Sequence, residues 1–130
     1  SLNQAFTRSF SRLLAGLIAK PSGKGTLLDD TLLIAGSDLG RFPRLNAMRG
    51  KDHLPQTSYI FAGHGIAGGT SHGPTDTLMK GMKMSLATGR ADDRGHVPIV
   101  DDIGTTVMRL CGLDPQTFGY AGKTIECLLG

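Results

Sequence analysis

Two short, unbroken apolar runs constrain the fold of this chain more than any other feature of its sequence. The first run covers residues 31–36 and the second covers residues 58–63, and polar segments rich in turn residues follow both. A strand with one face in water alternates apolar and polar residues, whereas a strand covered on both faces reads as continuous apolar sequence. The two runs therefore predict neighbouring, doubly covered strands of a mainly parallel sheet.

Apolar residues at helical spacing predict two helices that would cover this sheet. One is an amphipathic helix over residues 3–20, which the Pro-Ser-Gly of residues 21–23 would stop. The other lies near residues 101–111, with Asp101 or Asp102 at its N-terminus and Gly112 at its end. Residues 123–128 read as a short strand. The chain is thus expected to be a single α/β domain over residues 1–130, a three-layer α/β/α sandwich with a mixed, mainly parallel sheet.

Charge and hydropathy narrow the range of partners. The net charge of +3 comes from basic and acidic residues that alternate along the chain. Nucleic-acid binding would be indicated by a dense basic stripe with interleaved aromatic residues, which this sequence lacks. No segment approaches the roughly 18 consecutive apolar residues of a membrane span. The sequence therefore predicts neither a nucleic-acid partner nor a membrane span, and leaves open a mildly positive cleft for a small anion.

The end of the first apolar run carries the first candidate site residue. Asp38 comes just after that strand, and ligands of open α/β sheets gather beyond the carboxyl ends of strands. A carboxylate at this position is well placed to hold a metal ion. The alternative interpretation is ordinary turn chemistry, because Ser and Asp commonly cap turns.

Further candidates follow in the same loop. Asp52 and His53 are adjacent, within the Gly-Lys-Asp-His of residues 50–53, and can offer oxygen and nitrogen ligands to one divalent ion such as Zn²⁺. The competing interpretation is a solvated polar loop. The metal hypothesis gains weight because Asp38 lies in the same connection between the two predicted strands.

A glycine-rich segment after the second strand contributes two histidines. His64 and His72 lie within residues 63–73, where glycines allow close approach of the backbone to a ligand and exposed N–H groups can form an anion nest. The segment matches neither a phosphate-binding P-loop nor the dinucleotide fingerprint, so a flexible surface loop is the alternative. His96, farther along, reads as a solvated loop residue.

Five segments, in this order, resemble motifs of a sulfatase-like family known as domain of unknown function 1501. The segment LDDTLLIAGSDLGRFP at residues 28–43 resembles the family pattern LDDTLVVWGGEFGRTP, and GKDH at 50–53 resembles GRDH. AGHGIAGG at 62–69 resembles AGGGVKGG, and HGPTD at 72–76 resembles YGATD. Residues 100–107 and 110–114 together resemble HDLHATILHLLGLD. The resemblance runs from residue 27 to the end of the sequence.

This family resembles a branch of the alkaline phosphatase and sulfatase superfamily, whose members bind one or two divalent metals beyond the strand ends of a mainly parallel sheet. The resemblance implies metal-ligand positions for Asp38 and His53, and places Arg41 near a substrate anion. For the two ligands to converge, the second strand must run antiparallel to the first or the loop must fold back over the strand ends, and the resemblance favours an antiparallel strand here. Lys51 and His64 are added to the expected substrate-binding set, with Asp52 and His72 as additional candidates. The implied cofactor is a divalent metal (Zn, Ca or Mg) in the full-length parent, and weak or absent metal binding is expected in this fragment because it offers only two ligands. The implied substrate of the parent is a small anionic ester.

The sequence departs from the family pattern in three respects. Asp38 stands where the family usually has Glu, which preserves the ligand chemistry, and Asp101 and Gly104 lie near the positions of the two HDLHAT histidines. The first metal-binding Asp and the nucleophile of the superfamily lie far upstream, and nothing here stands for them.

The expectation is therefore the C-terminal part of a larger sulfatase- or phosphatase-like hydrolase, itself inactive alone. A non-catalytic structural, anion-binding or carbohydrate-binding module is the alternative. A homo-oligomer that buries surfaces left by the missing part, and a parent exported to a bacterial periplasm, are compatible with either interpretation.

Overall fold

The computed structural model describes residues 2–130 and begins with a long amphipathic helix. Helix α1 spans Leu2–Ile18, close to the predicted 3–20, and ends before the Pro-Ser-Gly segment that was expected to stop it. Phe6 and Phe10 stack one helical turn apart, with ring centroids 5.7 Å apart. The apolar stripe is largely uncovered, since the side chains of Phe6, Leu13 and Ile18 are about half exposed.

Three separate pairs of strands follow, and each pair is antiparallel. Strand β1 (Pro21–Ser22) pairs with β2 (Gly25–Thr26). Strand β3 (Leu32–Gly36) pairs with β6 (Tyr59–Gly63), and the connection between them contains the third pair. In that pair, β4 (Gly40–Arg41) lies beside β5 (His53–Leu54).

The predicted three-layer α/β/α sandwich with a mainly parallel sheet is wrong. The two apolar runs do form adjacent strands, antiparallel as the family resemblance favoured, but they make up a two-stranded sheet and not part of a larger, mainly parallel one. A parallel pair needs a crossover, usually a helix, whereas residues 37–58 fold back on themselves through β4 and β5. Nor are the strands covered on both faces, because Ile34 of β3 and Ile60 of β6 are each about 40% exposed, at 39% and 43%.

The second half of the described chain is mostly irregular. Residues 64–99 contain only isolated bridges, among them one between Met84 and His96. Helix α2 spans Val100–Leu110, as the sequence predicted, and is followed by 3-10 helices at Pro115–Phe118 and Glu126–Leu128. The short strand expected at 123–128 is therefore wrong, because that tail folds against α2 through hydrogen bonds to its side chains.

The interior is small and lies mainly around the N-terminal half of α2. The buried apolar residues are Leu54, Met84 and Ile125, and the buried polar residues are Asp102, Thr105 and Thr106. Contacts between elements are concentrated within the strand pairs and between α2 and the 3-10 helix that follows it. Neither helix of the described residues is long and apolar enough to cross a membrane.

Candidate functional site

The connection between β3 and β6 carries five of the predicted site residues. Gly36 pairs with Tyr59 at the near end of the β3–β6 pair, and Arg41 pairs with His53 within β4–β5. Because both pairs are antiparallel, the segment that leaves β3 and the segment that returns to β6 run side by side. Asp38 lies between Gly36 and β4, so the strand order brings its segment and that of His53 to the same end of the sheet.

The two predicted metal ligands are both exposed. Asp38 follows Ser37, whose hydroxyl lies 3.3 Å from Asp38 Oδ1 and donates to the Leu39 carbonyl at 2.9 Å. His53 is exposed while its neighbour Leu54 is 4% exposed. This alternation is expected of a strand, since successive side chains point to opposite faces. Burial of Leu54 thus turns His53 outward, where its imidazole is open to a ligand.

The polar residues around these two are partly used to shape the loop. Arg41 donates a hydrogen bond from Nη1 to the Lys51 carbonyl at 2.9 Å. Asn46 accepts from the Gly50 amide at 2.9 Å and donates from Nδ2 to Asp52 Oδ1 at 2.7 Å. One carboxylate oxygen of Asp52 is therefore already bonded within the turn. The Lys51 side chain is exposed.

The donor set does not make a complete metal site. Within residues 2–130, no group of three or more His, Cys, Asp and Glu side chains is placed to hold one ion. Zn²⁺ in proteins takes about four ligands in a structural site and three protein ligands in a catalytic one. Asp38 and His53 alone do not satisfy either requirement, so the residues of this chain do not by themselves fit the metal that the family resemblance implies.

His64 lies at the other end of the β3–β6 pair. It follows Gly63, which pairs with Leu32 at the start of β3. The His64 amide donates to the Thr31 carbonyl at 3.0 Å, and its Nδ1 lies 3.0 Å from the Asp29 carbonyl. The length of the strands, roughly 3.4 Å per residue, separates His64 from the segments that carry Asp38 and His53.

His72 is half-buried and lies outside the connection between β3 and β6. It lines a shallow cleft with Arg90 and lies against Gly89, whose positive φ of 70° and absent side chain leave room for the ring. The Nε2 atom of His72 is enclosed and has no hydrogen-bond partner in the described residues. The structure therefore does not gather His72 with the residues of the β3–β6 connection.

The most highly organised polar site was not found from the sequence. The carboxylate of Asp102 is 1% exposed and accepts three hydrogen bonds. Oδ2 accepts from His96 Nε2 at 2.7 Å and from the Ile99 amide at 2.8 Å, and Oδ1 accepts from the Lys123 amide at 2.7 Å. Burial raises the pKa of Asp102, but the hydrogen bonds from Ile99, Lys123 and His96 outweigh it and bring the pKa below its usual value.

A buried threonine extends this network to the tail. Thr106 Oγ1 donates to the Asp102 carbonyl at 2.7 Å and accepts from the Ile125 amide at 2.9 Å. From the sequence, we expected Asp101 or Asp102 at the N-terminus of the helix and His96 to be a solvated loop residue. One signal was present: Asp102 is the third helical residue, the position at which the Glu or Gln of a capping box bonds back to the amide that precedes the helix.

Comparison with known proteins gives one match. The family described as Protein of unknown function (DUF1501) matches residues 4–127, which is nearly the whole chain. The chain belongs to this family. No curated protein and no solved structure matches it.

Proposed function

We propose that this member of the DUF1501 family is the C-terminal portion of a metal-dependent sulfatase- or phosphatase-like hydrolase of the alkaline phosphatase and sulfatase superfamily. In this proposal Asp38 and His53 supply two ligands of a divalent ion. The remaining ligands and the nucleophile come from residues outside this chain. The link to the superfamily comes from the motifs at residues 28–43 and 50–53, and no solved structure supports it independently.

The observation that carries the proposal is the antiparallel register. Had the two strands been parallel, the segment entering the second strand would start at the opposite edge of the sheet, far from Asp38. The pairing of Gly36 with Tyr59 and of Arg41 with His53 removes that obstacle. Because both side chains are exposed, they can bind an ion together with ligands from residues outside this chain.

The large surface of the chain supports the idea that other residues complete it. Its accessible surface is 9,329 Å², whereas a compact monomer of 13.7 kDa would expose about 6,600 Å² by the usual scaling with mass. Exposed large apolar side chains account for part of the excess, notably Met48, Val100 and Leu45. Such a surface suits a portion that packs against further protein, either a longer parent or a second copy in a homo-oligomer.

A second function is favoured by the charge of the same loop. The connection between β3 and β6 carries four exposed basic residues: Arg41, Arg44, Arg49 and Lys51. Two acidic residues, Asp38 and Asp52, oppose them. A net positive, exposed loop suits binding of a small anion without any metal or hydrolysis. This is the non-catalytic alternative.

Calorimetric titrations with Zn²⁺ and with inorganic sulfate distinguish the two functions. For the metal proposal, Asp38→Ala and His53→Ala each weaken Zn²⁺ binding by at least about tenfold, since even the partners that orient a ligand are worth that much. Asp93→Ala, an exposed carboxylate in another loop, serves as the control and leaves affinity unchanged. The titrations are made on the longer protein that supplies the remaining ligands, and equal Zn²⁺ affinity in all four proteins would reject the metal site.

The anion-binding module predicts a different pattern in the same titrations. Sulfate would bind without metal, Arg41→Ala and Lys51→Ala would abolish that binding, and Asp38→Ala would not weaken it. Under either function, the isolated chain is expected to show no turnover of aryl sulfate or aryl phosphate, because no nucleophile is recognisable in it.

A further inference from the structure

His96 is fixed in position from three directions. Its backbone N–H and C=O both bond to Met84, at 2.9 Å each, and Met84 is 2% exposed. Its ring is bonded through Nε2 to the buried carboxylate of Asp102. The side chain is nonetheless 28% exposed. A carboxylate bonded to one ring nitrogen is also how proteins orient a histidine whose other nitrogen binds or reacts with a ligand.

The hydrogen bonds around Asp102 determine where the proton of His96 lies. An ionised carboxylate only accepts hydrogen bonds, and the other two partners of Asp102 are backbone N–H groups. His96 must therefore donate, so Nε2 carries the proton. In the neutral ring the lone pair is then on Nδ1, which has no hydrogen-bond partner among residues 2–130. The low pKa of Asp102 agrees with an ionised carboxylate at neutral pH.

We propose that His96 is a proton-accepting residue, whose Nδ1 takes a proton from a water molecule or a substrate hydroxyl bound beside it. Asp102 is its positioning residue, because it holds the ring in one tautomer and stabilises the imidazolium that forms. The inference is independent of the metal proposal, since it uses neither Asp38 nor His53. It also differs from a purely structural role, in which His96 would only tie its loop to α2.

The tautomer can be read directly by NMR. Long-range ¹H–¹⁵N correlation spectra of the wild-type chain, recorded at a pH at which the ring is neutral, should show His96 as a single tautomer protonated at Nε2. His53, which is exposed and has no carboxylate partner in the described residues, should show averaged tautomers and serves as the internal control. A His96 ring protonated at Nδ1, or averaged like that of His53, would overturn the proposal.

The accessibility of Nδ1 is tested with diethyl pyrocarbonate as the probe. The Nδ1 lone pair attacks a carbonyl carbon of the probe, a new C–N bond forms, and ethyl hydrogen carbonate leaves with the proton that the ring gives up. Peptide mapping of the wild-type chain should find the carbethoxy group of His96 on Nδ1. A His96 that resists the probe, or that is modified on Nε2, would show that the residue is structural.

The Asp102→Asn variant tests whether Asp102 positions the His96 ring. The amide can donate to the ring and favour the opposite tautomer, so the modification rate of His96 should fall about tenfold while that of His53 stays constant. An unchanged His96 rate would contradict the role given to Asp102. If Asp102→Asn does not fold, the two wild-type measurements still decide the proposal.

Discussion

The loop between β3 and β6 and the network around Asp102 hold their polar side chains in opposite ways, the first exposed and the second buried. In the loop, Asp38 and His53 are exposed, and the order comes from Asn46 and from backbone pairing. Around Asp102, a buried carboxylate joins the 83–96 segment, α2 and the tail. The first arrangement leaves the Asp38 and His53 side chains exposed at little cost in stability, whereas the second makes stability depend on every partner.

The largest expected effect is the loss of the Asp102 carboxylate. Asp102→Ala leaves three donors, the His96 ring and the Ile99 and Lys123 amides, without their acceptor and should lower the free energy of unfolding by about 3 kcal/mol. Asp101→Ala, an exposed neighbour in the same helical turn, should cost no more than about 0.5 kcal/mol. Urea denaturation of the two variants checks this, and similar losses would mean that the network contributes little.

Acidification should weaken the same network. The pKa of Asp102 is lower in the folded chain than its usual value of about 3.9. Its contribution is therefore complete above that value and is lost as pH falls through the folded-state pKa. The stability difference between wild type and Asp102→Asn should shrink steadily below about pH 4. A difference that stays constant down to about pH 2 would contradict an ionised carboxylate.

Substitutions at the adjacent residues Thr105 and Thr106 form a matched pair, and the larger of the two effects on the free energy of unfolding should be intermediate. Thr106→Val removes the hydroxyl that joins the Asp102 carbonyl to the Ile125 amide, and should cost about 1–2 kcal/mol. Thr105 is equally buried, but its hydroxyl has no partner in the described residues, so Thr105→Val should be neutral or stabilising. Thermal unfolding of both variants tests the pair, and the reverse order would show that the hydrogen bonds are assigned to the wrong threonine.

The sequence predicted the elements better than their arrangement. The positions of α1 and α2 follow from apolar spacing and end signals, which are local. Strand direction depends on how residues 37–58 fold, and an apolar run such as 31–36 does not report whether a partner covers both faces. His96 was missed for the same reason, because its stabilising network includes Lys123, 21 residues beyond Asp102. Asp38 and His53 were selected by residue type, which sequence does reveal.

The smallest expected effect belongs to the exposed loop. Asp38→Ala and His53→Ala should each change the free energy of unfolding by no more than about 0.5 kcal/mol, because neither side chain is buried. Urea denaturation in a metal-free buffer provides the measurement. A loss near that of Asp102→Ala would mean that these residues hold the fold together, and the contrast between the two regions would fail.

The central claim, that Asp38 and His53 serve one ion, is tested most directly by a double-mutant cycle of Zn²⁺ affinity. Wild type, both single alanine variants and the double variant are titrated under identical conditions, each within the longer protein that supplies the remaining ligands. If the two side chains share an ion, the second substitution should add little to the loss caused by the first, because the site is already broken. Losses that simply add would place the two residues in independent sites and contradict the account.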